Sequence, residues 1–153
     1  MRIALFQPDI PQNAGAVFRL GTCLGIPIDI IEPCGFILDD RRLKRVVMDY
    51  GTGADIERHA SWETWQTARH SSRILLLTTQ GTDHYTDFNF QDSDTLLLGR
   101  ESAGVPAEVH AAADARLIVP MAQGARSLNV VTAAAMVIGE AIRQTGGFDR
   151  AVT

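Results

Sequence analysis

Three short segments hold residues whose types and spacing could do chemistry. The first, PQNAGAVFRL, sets Asn13, Gly15 and Arg19 in the pattern NxGxxxR. On a helix Gly15 and Arg19 stand one turn apart, so a small residue admits an approaching group while a guanidinium reaches the same side. The second, LLLGRESAGVP, places Gly99, Glu101 and Gly104 directly after an apolar run. Two glycines flanking a carboxylate past a strand end favour a loop whose backbone amides and carbonyls face a ligand. A tight strand-to-helix turn in which Glu101 caps the next helix is the plainer alternative. The third, VPMAQGARSLNVV, runs through a polar loop with Gly124, Arg126 and Ser127, then opens a helix of small residues at Leu128 and Asn129. Ser127 and Asn129 can cap backbone amides, and amides at a helix start can hold a polar ligand group. A further polar loop, LTTQGT, covers residues 77–82.

Residues in loops need elements to hold them. Compact apolar runs at residues 2–6, 28–31, 73–78, 95–98 and 117–119 are bounded by Pro, Gly or Asp, as buried strands are. Between them lie helical patterns. Residues 13–24 carry Val17, Leu20 and Leu24 at spacings of three and four, residues 61–70 open on a Ser cap, and residues 128–143 end before Gly146 and Gly147. This alternation predicts an α/β domain with a mainly parallel sheet covered by helices on both faces, and a ligand site at the carboxyl ends of the strands. A dinucleotide fold would show GxGxxG after Phe6, where this chain reads QPDIPQNAGA.

The 153 residues, 46% hydrophobic and 21% charged, fit one soluble domain over residues 1–153, and a formal net charge of -4 is too small for a disordered chain. Pro8, Asp9 and Pro11 break the first apolar run, so neither a signal peptide nor a membrane span is expected, and the cytoplasm is the default compartment. Cys23 and Cys34 lack CxxC spacing and a His at ligand distance, so no metal site is expected. The acidic balance argues against nucleic-acid binding by the whole surface but leaves room for a local patch. Arg41, Arg42, Lys44 and Arg45 form such a patch, suited to phosphates. A solvated helix face neutralised by Asp39 and Asp40 explains it equally well.

Taken in order, Asn13-x-Gly15-x-x-x-Arg19, Gly99-Arg100-Glu101-x-x-Gly104-Val105-Pro106 and Val119-Pro120-Met121 through Arg126-Ser127-Leu128-Asn129 resemble the three motifs of the SPOUT RNA 2'-O-ribose methyltransferases. The similarity covers nearly the whole chain. ALFQPDIPQNAGAVFRL and the stretch over residues 30–50 resemble the small single-domain branch that methylates the tRNA wobble nucleotide, cytidine or uridine 34. The resemblance implies a C-terminal trefoil knot, a homodimer, no separate RNA-binding domain, and S-adenosylmethionine as methyl donor without a metal. It places the cofactor against Leu77, Thr78, Gly81, Gly99, Glu101, Gly104, Val119, Met121, Ser127 and Leu128. It gives Arg19 to the ribose 2'-hydroxyl, near the partner's cofactor, with Asn13, Glu101, Ser127 and Asn129 fixing geometry. Val131 stands where the branch usually has Ser, and Gly51 where an aromatic commonly follows Asp49 and Tyr50.

The sulfonium is already a good leaving group, so alignment of the hydroxyl with the methyl is most of what the protein must supply. A guanidinium resists deprotonation, which favours Arg19 as an orienter of phosphate or hydroxyl rather than as the base. DNA lacks the 2'-hydroxyl and is excluded as substrate. A wobble nucleotide lies in a single-stranded loop and can be splayed out, with the RRLKR segment holding the anticodon stem. The alternatives are a 2'-O-methyltransferase for another tRNA or rRNA position, a non-catalytic RNA-binding protein on the same fold, and a small-molecule enzyme using another nucleotide.

Overall fold

The computed structural model describes residues 1–39, 41, 55–69 and 71–148. Seven strands form one all-parallel sheet: β1 (Arg2–Phe6), β2 (Ile28–Ile31), β3 (Ile56–His59), β4 (Ile74–Leu77), β5 (Asp83–His84), β6 (Thr95–Leu98) and β7 (Ala115–Ile118). Their order across the sheet is β3-β2-β1-β6-β4-β7-β5. Among the described residues four α-helices accompany them: α1 (Pro11–Leu24), α2 (Trp62–Ala68), α3 (Ala107–Ala112) and α4 (Val130–Thr145). Among these residues no helix is long and apolar enough to cross a membrane.

Alternation along each strand splits the core in two. Ile3, Leu5, Ile28, Ile30, Leu96 and Leu98 face α1 and α4, which bury Val17, Phe18, Ala134, Val137 and Ile138 against them. Ala4, Phe6, Ile31, Leu76 and Leu97 face the opposite way, onto Trp62 and Trp65 of α2 and Val109 of α3. Both faces are therefore covered, as the unbroken apolar strands require.

Boundaries shift where local chemistry outweighs periodicity. α1 starts at Pro11, two residues before the pattern predicts, because a proline suits the first helical turn; it ends on Gly25, whose φ of +64° few other residues accept. α2 is capped by Ser61, whose Oγ accepts the Thr64 amide at 3.2 Å. Strands β3 and β5 and helix α3 go beyond what the sequence pattern predicts: IERH is an edge strand with mostly exposed side chains, and β5 has two residues.

The amino ends of the strands are stitched by charge. Arg2 donates from Nη2 and Nε to Asp29 at 2.6 and 3.2 Å, and Trp65 Nε1 donates to Asp29 at 2.9 Å. Burial pushes the Asp29 carboxyl up, but these donors outweigh it and hold it below its ordinary range. Arg73 grips the fully buried Asp94 through two contacts of 2.8 Å.

Candidate active site at the carboxyl ends of the strands

A cleft of about 970 Å³ opens at the other end of the sheet, among the loops that follow β1, β4, β6 and β7. Its deeper wall is apolar, with Leu76, Leu77, Ile118 and the buried Val119. Ile10, Met121 and Leu128 line its rim and are each about 40% exposed, so a ligand seated there would cover apolar surface that water now meets.

The loop after β6 is built around two glycines. Arg100 and Gly104 exchange backbone hydrogen bonds of 3.0 and 2.8 Å, closing a turn in which Gly104 takes φ +64°. A side chain on Gly99 would meet the Gly104 carbonyl carbon at 2.9 Å, so the turn closes only on a glycine. Glu101 is thereby presented towards α1. Its Oε1 accepts from Asn13 Nδ2 at 3.1 Å, and its Oε2 lies 3.4 Å from the Asp9 amide. It caps no helix: α3 has no side-chain cap.

Asn13 passes the connection on. Its Oδ1 accepts from Asn129 Nδ2 at 3.0 Å, and Asn129 Oδ1 accepts the Val131 and Thr132 amides at 2.9 and 3.4 Å, capping α4. One relay of side chains thus ties the loops after β1, β6 and β7. Asn129, not Ser127, is the cap; Ser127 stays exposed in the loop, and Val131 offers the relay only its amide.

Asp9 sits beside this relay and accepts from the Glu101 amide at 3.1 Å and from the Ser102 hydroxyl. Hydrogen bonding with the Glu101 carboxyl and Ser102 lowers the Asp9 carboxyl to about 2, while burial first and Asp9 second push Glu101 up. Two adjacent carboxyls in unlike environments thereby separate in acidity.

Of the residues named from sequence, Asn13, Leu77, Thr78, Gly99, Glu101, Gly104, Val119, Met121, Ser127, Leu128 and Asn129 all line the cleft. Gly81 does not. It packs against β7, where a side chain would collide with the Arg116 carbonyl oxygen, and so serves the approach of the β4–β5 loop to that strand. Arg19 lies on the exposed face of α1, outside the cleft. Arg41 is exposed, with its amide bonded to Asp39 Oδ1 at 2.8 Å; Arg42, Lys44, Arg45, Asp49, Tyr50 and Gly51 lie outside the described residues. Sequence reasoning passes over Ile10, His84 and Arg100 as lining residues. An apolar residue between two loop prolines and an arginine inside the second motif are the available signals.

Residues 1–139 match the model of the SpoU rRNA methylase family. A protein of Ancylobacter novellus named tRNA (cytidine(34)-2'-O)-methyltransferase is 50% identical over 155 residues, spanning 100% of this chain and 98% of that one. An Escherichia coli K12 protein of the same name is 37% identical, over 95% and 94% of the two chains. A solved structure described as giving insights into 2-OH methylation of C/U34 on tRNA superposes with a TM-score of 0.85 at 38% identity, covering 94% of each chain. An AdoMet-bound rRNA methyltransferase from Sinorhizobium meliloti matches with a TM-score of 0.77 at 25% identity, over 93% of this chain and 55% of that one. Motifs, sheet order and relatives agree: the chain belongs to the SpoU rRNA methylase family.

Proposed function

We propose that the chain is a tRNA methyltransferase that moves a methyl group from S-adenosylmethionine to the ribose 2'-hydroxyl of the wobble nucleotide, cytidine or uridine 34. The observation that carries this is the Asn129–Asn13–Glu101 relay on the rim of the cleft. It fixes the loops after three different strands around one space, and the proteins similar over the full chain bear the name of that reaction.

The cleft suits the cofactor. Its volume lies at the upper end of the ~300–1,000 Å³ usual for ligand sites, and its apolar wall with exposed backbone in the turn at Gly99 and Gly104 matches an adenine ring. Leu77, Val119, Met121 and Leu128 would hold the base, and Thr78 and Ser127 polar groups beside it. When bound, S-adenosylmethionine supplies an activated methyl group on sulfur. The chain's own residues then align the hydroxyl: Asn13 and Asn129, locked to one another, cannot swing, and Glu101 fixes Asn13 from the other side. No metal ligand enters this scheme.

Arg19 acts across a homodimer. On α1 the residues Gly15, Ala16 and Arg19 share one outward stripe, and on α4 Ala135, Met136 and Gly139 share another; α1 packs beside α4. A side chain at Gly15 or Gly139 would meet nothing within 4 Å among the described residues, so none of these demands a glycine at either place. A closely approaching second helix pair does. Against that face, Arg19 points out of its own subunit towards its partner's cleft. The same reading takes in the trefoil knot, supported by the order β6-β4-β7, in which the chain leaves β4, fills one flank and returns to the other. Arg41 with its basic neighbours in sequence contacts the anticodon stem, and the protein works in the cytoplasm.

The test is direct. Purified protein, labelled S-adenosylmethionine and unmodified tRNA should yield 2'-O-methylcytidine or 2'-O-methyluridine at position 34, and a 2'-deoxy substitution there should abolish transfer. Mixing Arg19→Ala chains with Ser127→Ala chains that no longer bind cofactor should restore activity in heterodimers. Transfer at another position, or no complementation, would defeat the respective part of the proposal.

A further inference from the structure

Two arginines line the cleft, Arg100 and the exposed Arg126, neither with a counter-charge among the described residues, and Arg100 is the one held in place by a side-chain partner. Arg100 crosses from the end of β6 to the end of β1, where Nη2 donates to Gln7 Oε1. Among the described residues no carboxylate pairs with it, and its Nε is buried without a partner. The carboxyls nearby are otherwise engaged: Glu101 with Asn13, and Asp9 with Ser102 and the Glu101 amide. Gln7 is itself unusual. It has a φ of +44°, the only positive value on a non-glycine among the described residues. A strained backbone persists where its surroundings hold it, and here the strained residue spends its side chain on one edge of a guanidinium. Held by that edge, the fork keeps its remaining donors for a planar or tetrahedral anion, and it cannot lose its charge.

We propose that Arg100, oriented by Gln7, binds an RNA backbone phosphate next to the nucleotide whose ribose enters the cleft. The proposal rests on the preceding conclusion that RNA is the substrate, and adds a contact that the family motifs do not assign. Two observations favour phosphate over the cofactor's carboxylate. Gln7, which holds Arg100, belongs to the segment that joins β1 to α1, whereas Leu77, Thr78, Val119, Met121, Ser127 and Leu128, taken above to hold the cofactor's base and the polar groups beside it, come from β4, β7 and the segments after them. A chain of net charge -4 also needs a local cation wherever a polyanion is to come close.

Binding and turnover can be followed separately. In the full-length protein, Arg100→Met keeps the apolar stem and removes the charge. It should raise Kd and KM for tRNA by about tenfold or more, as loss of a charge-assisted hydrogen bond does, and lower the salt slope of binding by about one. Affinity for S-adenosylmethionine, measured by calorimetry without RNA, should stay within about twofold. Arg100→Lys should keep the slope but recover only part of the affinity, because the fork is lost. Gln7→Ala should weaken tRNA binding less than Arg100→Met does. An unchanged tRNA Kd and salt slope in Arg100→Met would overturn the proposal, as would a selective loss of cofactor affinity, which would assign Arg100 to the carboxylate. Should Arg100→Met melt early, Arg100→Lys decides in its place: weakened tRNA binding supports the phosphate contact, and a wild-type tRNA Kd overturns it. Wild-type protein that binds tRNA yet transfers no methyl group would sink the proposed reaction, while the salt slope would still test Arg100.

Discussion

The two ends of the sheet treat polar side chains in opposite ways. At the amino ends, charges close on each other: Arg2 on Asp29, Arg73 on Asp94. Even the ligand-type atoms of Asp29, Glu57 and His59, all within 4.8 Å, do not make an open cation site, because the Arg2 guanidinium already sits on Asp29 Oδ1 at 2.6 Å. Around the cleft at the carboxyl ends the bonds run through amides, a hydroxyl and the carboxylates of Glu101 and Asp9, and they leave Arg100 without a counter-charge and apolar side chains at the rim. Self-neutralised groups hold a fold together; groups fixed in place but incompletely matched are available to a ligand.

That contrast predicts which property each substitution disturbs. The largest effect belongs to the open end. Arg19→Ala should lower the transfer rate by ~10²–10³, the usual loss for one donor acting at a transition state, with thermal stability and S-adenosylmethionine affinity unchanged. Equal losses of rate and cofactor binding would remove Arg19 from the chemistry. At the closed end, Asp29→Ala should cost about 3 kcal/mol in denaturant unfolding, the lower part of the range for a broken buried pair, because Arg2 is 29% exposed and can reach water. Rate per folded molecule should not change. Arg2→Met combined with Asp29→Leu should recover most of that loss, and failure to do so would mean the pair does more than neutralise itself.

Asn129→Ala bridges both properties. Losing the α4 cap should cost about 1 kcal/mol, and freeing Asn13 should lower activity beyond what that instability explains; Asn129→Asp, which keeps the cap but cannot donate to Asn13, separates the two. Gly139→Ala should stabilise the isolated chain by up to ~1 kcal/mol through helix propensity, yet weaken self-association on dilution in the ultracentrifuge.

The smallest effect concerns pH. The Glu101 carboxyl is raised, so a proton is bound more tightly in the folded state; its contribution to stability is present below the ordinary Glu value and lost as pH rises through the folded value. Asp9 has the opposite sign: its contribution is present above 3.8 and lost as pH falls towards about 2. Activity should therefore fall on the acid side above the ordinary glutamate range, where Glu101 stops accepting as a carboxylate. Asp9→Asn should move that limb slightly down, since burial, which acts first on Glu101, remains. An unmoved limb in Glu101→Gln would assign it to another group.

The sheet is largely legible because five of its strands are short apolar runs between breakers, and α1 follows from the spacing of its apolar residues, α4 from its small residues and the glycines that end it. β3 escapes because an edge strand with one buried face end need not be apolar, and β5 because two residues carry no period. Asn13, Glu101 and Asn129 stand out by type, but the order in which they bond does not: the partners lie 88 and 116 residues apart, and no local rule reaches that far. Arg100 and Gln7, 93 residues apart, are hidden for the same reason. Gly81 has the residue type of a ligand loop and the role of a packing contact, which only the neighbouring strand reveals.

The bond between Asn13 and Asn129 joins the first helix to the last. Contacts so distant along the chain form late, after loop closure has been overcome. During synthesis the first helix emerges long before its final partner, so a growing chain holds an unfinished cleft. Competence for tRNA thus becomes a report on completed folding, and truncated or stalled chains would have no active half-product to occupy the substrate.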